Sequence, residues 1–226
     1  MNAKEAAGNQ AAEYVENGMV VGLGTGSTAE YAIRALGNRV RAGLEITAVS
    51  TSVASTKLAE HLQIEVVSLE DEPVVDITID GADEVDPQLD LIKGLGGALL
   101  REKIVASATT RQIIIIDQSK IVEKLGTQAP LPVEVVPFAW PLIQRAFIER
   151  GLRPVLRKTA DGEVFETDNG NFIIDCGFPT GIEDAVQSER WINALPGVVE
   201  NGLFVHLTDL VVVGADDGSC RLIEKN

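Results

Sequence analysis

Strands alternating with helices through the first half of the chain, a proline-punctuated change of pattern near residue 130 and an apolar hairpin near residue 215 predict an α/β fold in two parts. The larger part is a mostly parallel sheet covered on both faces, and the smaller is an α+β module of ferredoxin-like order.

Lys4 to Val15 places Ala6, Ala7, Ala11, Ala12 and Val15 at helical spacing, and Gly18 stops that helix before the apolar run Met19 to Leu23. After the glycine-rich turn Gly22 to Gly26, Ser27 or Thr28 caps a second helix through about Val40, with Tyr31, Ile33, Ala35 and Leu36 as packing surface. A strand at Ile46 to Val49 leads into a helix from about Val53 to Leu62. Val74 to Ile79 forms a strand ending at Asp80, and a helix beginning near Leu100 precedes the strand Ile113 to Ile116, which ends at Asp117.

Pro130, Pro132, Pro137, Pro141 and Pro154 then punctuate shorter elements, which sets a boundary. Beyond it the pattern reads strand (Val133 to Val136), helix (Phe138 to Glu149), strands near Pro154 to Arg157 and Phe172 to Cys176, helix (Glu183 to Leu195) and strand (Val198 to Val205). Leu210 to Val213 and Cys220 to Ile223 form a hairpin around Asp216 to Gly218 that returns to the first sheet. The expected division is therefore 1–129 plus 207–226 against 130–206.

The 226 residues, 45% of them hydrophobic, suffice for a substantial core. An excess of 34 acidic over 19 basic residues gives a net charge of −15, which repels nucleic acid and anionic membranes, and no basic cluster offsets it. The polar, helix-patterned segment Met1 to Glu16 does not read as a targeting leader, and no apolar run is long enough to span a bilayer. Cys176 and Cys220 lie far apart and outside any CxxC pattern, so neither a zinc site nor a disulfide framework is indicated and a cytoplasmic protein is expected.

Three strand ends carry the candidate chemistry. Gly22-Leu23-Gly24-Thr25-Gly26-Ser27-Thr28 lies between a strand and a helix, where backbone N–H groups and hydroxyls can converge on a phosphate; the same string also reads as an ordinary turn that starts a helix. A dinucleotide site is opposed by Ser27, where that pattern wants glycine, and by Val49-Ser50-Thr51-Ser52, which lacks a ribose-binding acid. Asp80-Gly81-Ala82-Asp83-Glu84 sets three carboxylates after a buried-looking strand, although alone it also fits a solvated turn. Lys93-Gly94-Leu95-Gly96-Gly97 brings a cation on a loop that can approach a ligand closely, Arg101-Glu102-Lys103 opens a helix, and Asp117-Gln118-Ser119-Lys120 supplies a second cation.

Carboxylates and lysines around an anion cradle suit proton transfer on a phosphorylated metabolite, and no histidine or cysteine cluster offers a metal site. His61 and His206 stand isolated and read as structural or surface residues, and Trp140 and Trp191 as packing residues.

In this order the strings GLGTGSTA, DGADEVD, KGLGGALLREK, DQSK and PLPVEVVP, with TDNGNFIIDC and ALPGVVENGLF after them, resemble the A-type ribose-5-phosphate isomerases over essentially the whole chain. The resemblance implies a Rossmann-like main domain with a small α+β lid, no cofactor, and a sugar phosphate interconverted between aldose and ketose in the non-oxidative pentose phosphate pathway. It also implies a homodimer, with a tetramer as the alternative.

By position it makes Glu102 the catalytic base and Lys93 a cation beside the developing negative charge, and assigns Asp80 and Asp83 to the sugar hydroxyls. Thr25, Gly26, Ser27 and Thr28, with Gly81, Ala82, Gly94, Leu95 and Gly96, would line the substrate, and Lys120 and Lys4 would approach its phosphate. Leu95 stands where many relatives carry a third glycine. A non-catalytic sugar-phosphate sensor would use the same cradle, but a regulator needs a partner or DNA-binding module, for which the sequence offers no basic face.

Overall fold

The computed structural model describes residues 2–225. In chain order the first elements are α1 (Ala3–Ala12), β1 (Val20–Leu23), α2 (Ala29–Arg41), β2 (Thr47–Ser50), α3 (Val53–His61), β3 (Glu65–Val66) and β4 (Val75–Gly81). Then come β5 (Glu84–Val85), β6 (Leu91–Ile92), α4 (Leu99–Ser107), β7 (Thr109–Asp117), β8 (Leu131–Val135), α5 (Trp140–Glu149) and β9 (Arg153–Leu156). The last are β10 (Phe172–Gly177), α6 (Ala185–Asn193), β11 (Val198–Asn201), β12 (Leu203–Phe204), β13 (Leu210–Gly214) and β14 (Cys220–Glu224). Among the described residues, no helix is long and apolar enough to cross a membrane.

The chain divides into two compact units. The first comprises Met1–Ala82, Arg101–Ile121 and Leu207–Asn226. Its sheet runs β14-β13-β7-β4-β1-β2-β3, parallel throughout except where β13 meets β14. Four consecutive isoleucines, Ile113 to Ile116, are buried, as a strand needs when both faces of its sheet are covered. Ile113 and Ile115 pack with Ala7 and Ala11 of α1 and Ile33 and Leu36 of α2, and alternation turns Ile114 and Ile116 to the opposite face. The chain steps outward from β1 to β3 and returns to β4 on the other side of β1, so the order reverses between β1 and β4. In an open parallel sheet that reversal opens a crevice at the strands' C-terminal ends, where ligands bind.

The second unit comprises Asp83–Leu100 and Val122–His206. Its antiparallel sheet runs β11-β8-β10-β9, and with α5 after β8 and α6 after β10 this is the ferredoxin-like arrangement the sequence predicts. Val133, Val135, Ile174 and Cys176 of the sheet pack against Ile143 and Phe147 of α5 and Ile192 of α6. A small sheet, β12-β6-β5, completes the unit.

Three local expectations are corrected. The first helix ends at Ala12 rather than Val15, because the Tyr14 and Val15 amides donate to Ala11 and Ala12 in a tighter turn. Thr28 stands at the N-cap of α2 without a side-chain capping bond, and the Ser27 hydroxyl is engaged by Lys4 instead. The single strand expected over Val198 to Val205 is broken at Gly202, sending β11 to β8 and β12 to β6. A Cβ at Gly202 would stand 2.2 Å from the Lys93 carbonyl oxygen, so only glycine lets the chain pass there, and Asn201 Oδ1 supports the break by accepting from the Leu203 amide at 2.9 Å.

Candidate active site

In the first unit the glycine-rich loop leaves β1 at the reversal point and wraps the carboxylate of Asp80 at the end of β4. The Gly24 amide donates to Ile79 O at 3.0 Å, the next amide, Thr25, to Asp80 Oδ1 at 3.0 Å, and Gly81 N to the same oxygen at 2.7 Å. A Cβ on Gly24 would lie 2.1 Å from Asp80 Oδ1, so glycine is what permits this approach. Asp80 itself is fully buried.

Hydroxyls from the end of β2 and the first turn of α3 hold the loop from its other side. Thr25 Oγ1 lies 2.7 Å from Thr51 Oγ1 and 2.8 Å from Ser52 Oγ, and Ser55 Oγ donates to Gly24 O at 2.7 Å. Sequence reasoning noted Ser50-Thr51-Ser52 only as lacking an acid; its position at a strand end was the signal for this support.

Lys4, on α1, donates to Ser27 Oγ at 2.8 Å. Partial burial pushes the Asp117 carboxyl up, but the Ser119 hydroxyl and amide and the charges of Lys120 and Lys4 outweigh it and hold the group below the usual carboxylate value. Both lysines expected at a phosphate thus act on one carboxylate. Lys4, Ser27, Arg34, Asp117, Ser119 and Arg221 line an open cavity of about 1110 Å³ in this unit. Glu102 sits in the first turn of α4 and is 5% exposed.

The second unit carries Asp83 and Lys93. Asp83 N donates to Ile92 O at 2.8 Å, and its Oδ2 accepts from the Leu95 amide at 2.9 Å, so the lysine loop folds onto the carboxylate. Lys93 is 2% exposed, its amide donates to Gly202 O at 2.9 Å, and its ammonium stands 5.4 Å from the Phe204 ring centroid.

Two anchors escaped sequence reasoning. Glu84, fully buried, accepts from the amides of Gly126, Gln128 and Ala129 at 2.5, 2.6 and 2.6 Å and ties the strand beside Asp83 to the 126–129 loop. Arg157, gripped by both carboxylate oxygens of Asp175, donates to Gly94 O at 3.0 Å and Leu95 O at 3.1 Å. The string Asp80-Gly81-Ala82-Asp83-Glu84 showed only that carboxylates cluster, and nothing near Arg157 in sequence marks its target.

His206 is a surface residue as expected, though not an isolated one: its amide donates to Asp90 Oδ1 at 2.8 Å and its ring Nδ1 lies 3.5 Å from that oxygen. Trp191 packs 5.5 Å from Phe147, ring centre to ring centre. Burial and the neighbouring Asp175 push the Cys176 thiol up to about 12, which leaves it inert as a nucleophile at neutral pH.

Known proteins share the sequence and the fold of this chain. The family model of ribose 5-phosphate isomerase A (phosphoriboisomerase A) matches residues 47–218. The chain is 46% identical over 225 residues to ribose-5-phosphate isomerase A of Listeria monocytogenes serotype 4b (strain F2365), covering 100% of both chains. It is 49% identical to the protein of that name from Thermomicrobium roseum, covering 99% of this chain and 94% of the relative. Among solved structures, ribose 5-phosphate isomerase A from Methanocaldococcus jannaschii superposes with a TM-score of 0.93 at 44% identity, covering 98% of each chain. A D-ribose-5-phosphate isomerase in complex with phospho-erythronic acid gives a TM-score of 0.95 at 40% identity, covering 99% of this chain and 100% of that one. The ordered motifs, the fold and the full-length matches together establish that the chain belongs to the ribose 5-phosphate isomerase A (phosphoriboisomerase A) family.

Proposed function

We propose that this protein interconverts D-ribose 5-phosphate and D-ribulose 5-phosphate through a cis-enediolate, with Glu102 as the proton-transferring base. The observation that carries the mechanism is burial of charge: Asp80 is 0%, Lys93 2% and Glu102 5% exposed, and all three belong to the family strings. Ionisable groups withdrawn from water cost stability unless compensated, and such groups concentrate where chemistry uses them.

Once the furanose ring opens, Glu102 removes the C2 proton of the aldose, the C2–H electrons form the C1–C2 double bond and the C1 carbonyl oxygen becomes an oxyanion. The same carboxyl then returns the proton to the adjacent C1 while O2 becomes the ketone, with Asp80 moving a proton between O1 and O2 and Asp83 orienting the hydroxyls. A positioned base contributes about 10² to 10⁴ in rate. Lys93 and the amides of its loop stabilise the enediolate oxygen, where one well-placed donor adds roughly 10² to 10³.

The phosphate is held by the 25–28 segment at the start of α2 and by Lys4 and Lys120. A relative's complex with phospho-erythronic acid supports a sugar-phosphate substrate and the enediolate chemistry, because a phosphorylated sugar acid presents a planar two-oxygen anion like that of an enediolate. The proposal includes a homodimer, supported by Phe138, Leu142 and Ile148, which are 96%, 54% and 59% exposed along α5 and the turn before it.

Turnover in D2O tests the chemistry. A proton held on a carboxyl can exchange with solvent before it is returned, so repeated reversible turnover is expected to accumulate deuterium at C1 of ribulose 5-phosphate. A product that stays free of solvent deuterium through many reversible cycles contradicts an exchangeable proton on Glu102.

A further inference from the structure

Between β9 and β10 the chain makes an excursion, residues 157–171, that has no part in the mechanism above. It folds back on itself twice, with Lys158 bridged to Val164 and Glu166 to Phe172. Its second turn is pinned to β8, where Glu134 Oε1 accepts from Thr167 Oγ1 and Asn171 Nδ2 at 2.9 Å each. Glu134 is fully buried, so this anchor is closed to water. The excursion meets the lysine loop at two points. Arg157 Nη1 donates to Gly94 O at 3.0 Å and to Leu95 O at 3.1 Å. The edge of the Phe165 ring rests on Gly97, where a Cβ would stand 2.6 Å from Cζ and 2.8 Å from Cε1 of that ring. The Arg157 guanidinium carbon lies 5.6 Å from the Phe165 ring centroid and the Phe165 amide donates to Arg157 O at 3.0 Å, so the two side chains form one clamp.

We infer that Phe165 and Arg157 are positioning residues that fix the direction of the lysine-loop amides, Phe165 as a wedge at Gly97 and Arg157 as a hook on two carbonyls. This rests on the role proposed above for that loop in the isomerisation. In a planar trans peptide the N–H points opposite to the C=O. With the Gly94 and Leu95 carbonyls turned to the guanidinium, the amides of Leu95 and Gly96 are directed away from it. The Leu95 amide accordingly meets Asp83 Oδ2 at 2.9 Å, which couples the clamp to the carboxylate that orients the sugar hydroxyls. Gly94 and Gly97 stand at φ +103° and +84°, and the Gly97 amide closes the turn on Gly94 O at 3.0 Å. Glycine enters that conformation readily but leaves it as readily, so a loop built on it needs an outside support. A donor helps most when it is already aimed before charge develops, and the clamp supplies that aim.

The test is Phe165→Ala and Gly97→Ala, singly and together, in the full chain, read by kcat and KM for ribose 5-phosphate and by amide hydrogen exchange. Phe165→Ala is expected to lower kcat by roughly 10- to 100-fold, the scale of a misplacement of about 1 Å, with KM changed less than about threefold. Gly97→Ala drives a carbon into the ring edge, so the double variant is expected to lose far less than the product of the two single losses. Exchange of the Leu95 and Gly97 amides is expected to quicken in Phe165→Ala while the amides of β8 and β10 keep their protection. Losses in kcat that multiply, a defect carried by KM alone, or exchange that quickens equally across β8 and β10 overturns the inference. Where Phe165→Ala does not fold, Phe165→Leu, which keeps apolar bulk without the ring, is read in the same way. A chain that does not isomerise ribose 5-phosphate at all defeats the functional reading separately. Exchange then decides the clamp, since local quickening at Leu95 and Gly97 supports it and unchanged exchange there overturns it.

Discussion

Asp117 accepts from the Ser119 hydroxyl and amide while the charges of Lys120 and Lys4 act on it, and together these hold its folded value below the unfolded one despite partial burial. A carboxyl shifted in that direction contributes stability that is complete above the unfolded value of ~3.9 and is lost as pH falls through the folded value. Wild type is therefore expected to exceed Asp117→Asn in urea midpoint by a constant margin from about pH 7 to about pH 5, and the margin to shrink below about pH 4. A margin that persists unchanged to about pH 3 contradicts the assigned cause. At this scale residue type and strand-end position singled out Asp80, whereas the roles proposed for Lys93, on its glycine-rich loop, and Glu102, at a helix start, came from the family resemblance. The sequence was silent on Glu84, Arg157 and Phe204, since a glutamate on three amides, an arginine on two carbonyls and a phenylalanine under an ammonium acquire those partners only through tertiary pairing.

Long apolar runs such as Ile113 to Ile116 and the helix stripes of α2 and α5 were readable because burial enforces periodicity. The two-residue strands β3, β5, β6 and β12 are too short to carry a period, and the break between β11 and β12 depends on how closely Gly202 passes Lys93 O. Gly202→Ala is expected to lower the stability of the folded chain by about 1–3 kcal/mol, the usual cost of forcing an extra carbon into a closed site. Urea unfolding measures it. A variant as stable as wild type would show that the break between these strands does not depend on the missing side chain.

The molecule as a whole carries a net charge of −15, so two copies repel unless a surface of low local charge brings them together. Around the exposed apolar residues of α5, Arg145 pairs with Glu149 at 3.0 Å and leaves little net charge. Sedimentation of wild type is expected at twice the 24.1 kDa chain mass, and of Phe138→Glu at the single mass. A dimer that survives that substitution places the interface elsewhere. Both parts of the fold class were legible because strand–helix alternation and the strand-helix-strand-strand-helix-strand order each recur in few arrangements.

The central claim is that one buried carboxylate carries the proton between adjacent carbons. The measurement that meets it most directly is ribulose 5-phosphate formation by Glu102→Gln, paired with ribose 5-phosphate binding by calorimetry. The account predicts unchanged binding and a kcat reduced by at least about 10² to 10⁴, the contribution of a positioned base. Turnover within about tenfold of wild type, with the fold intact, would mean that another group moves the proton.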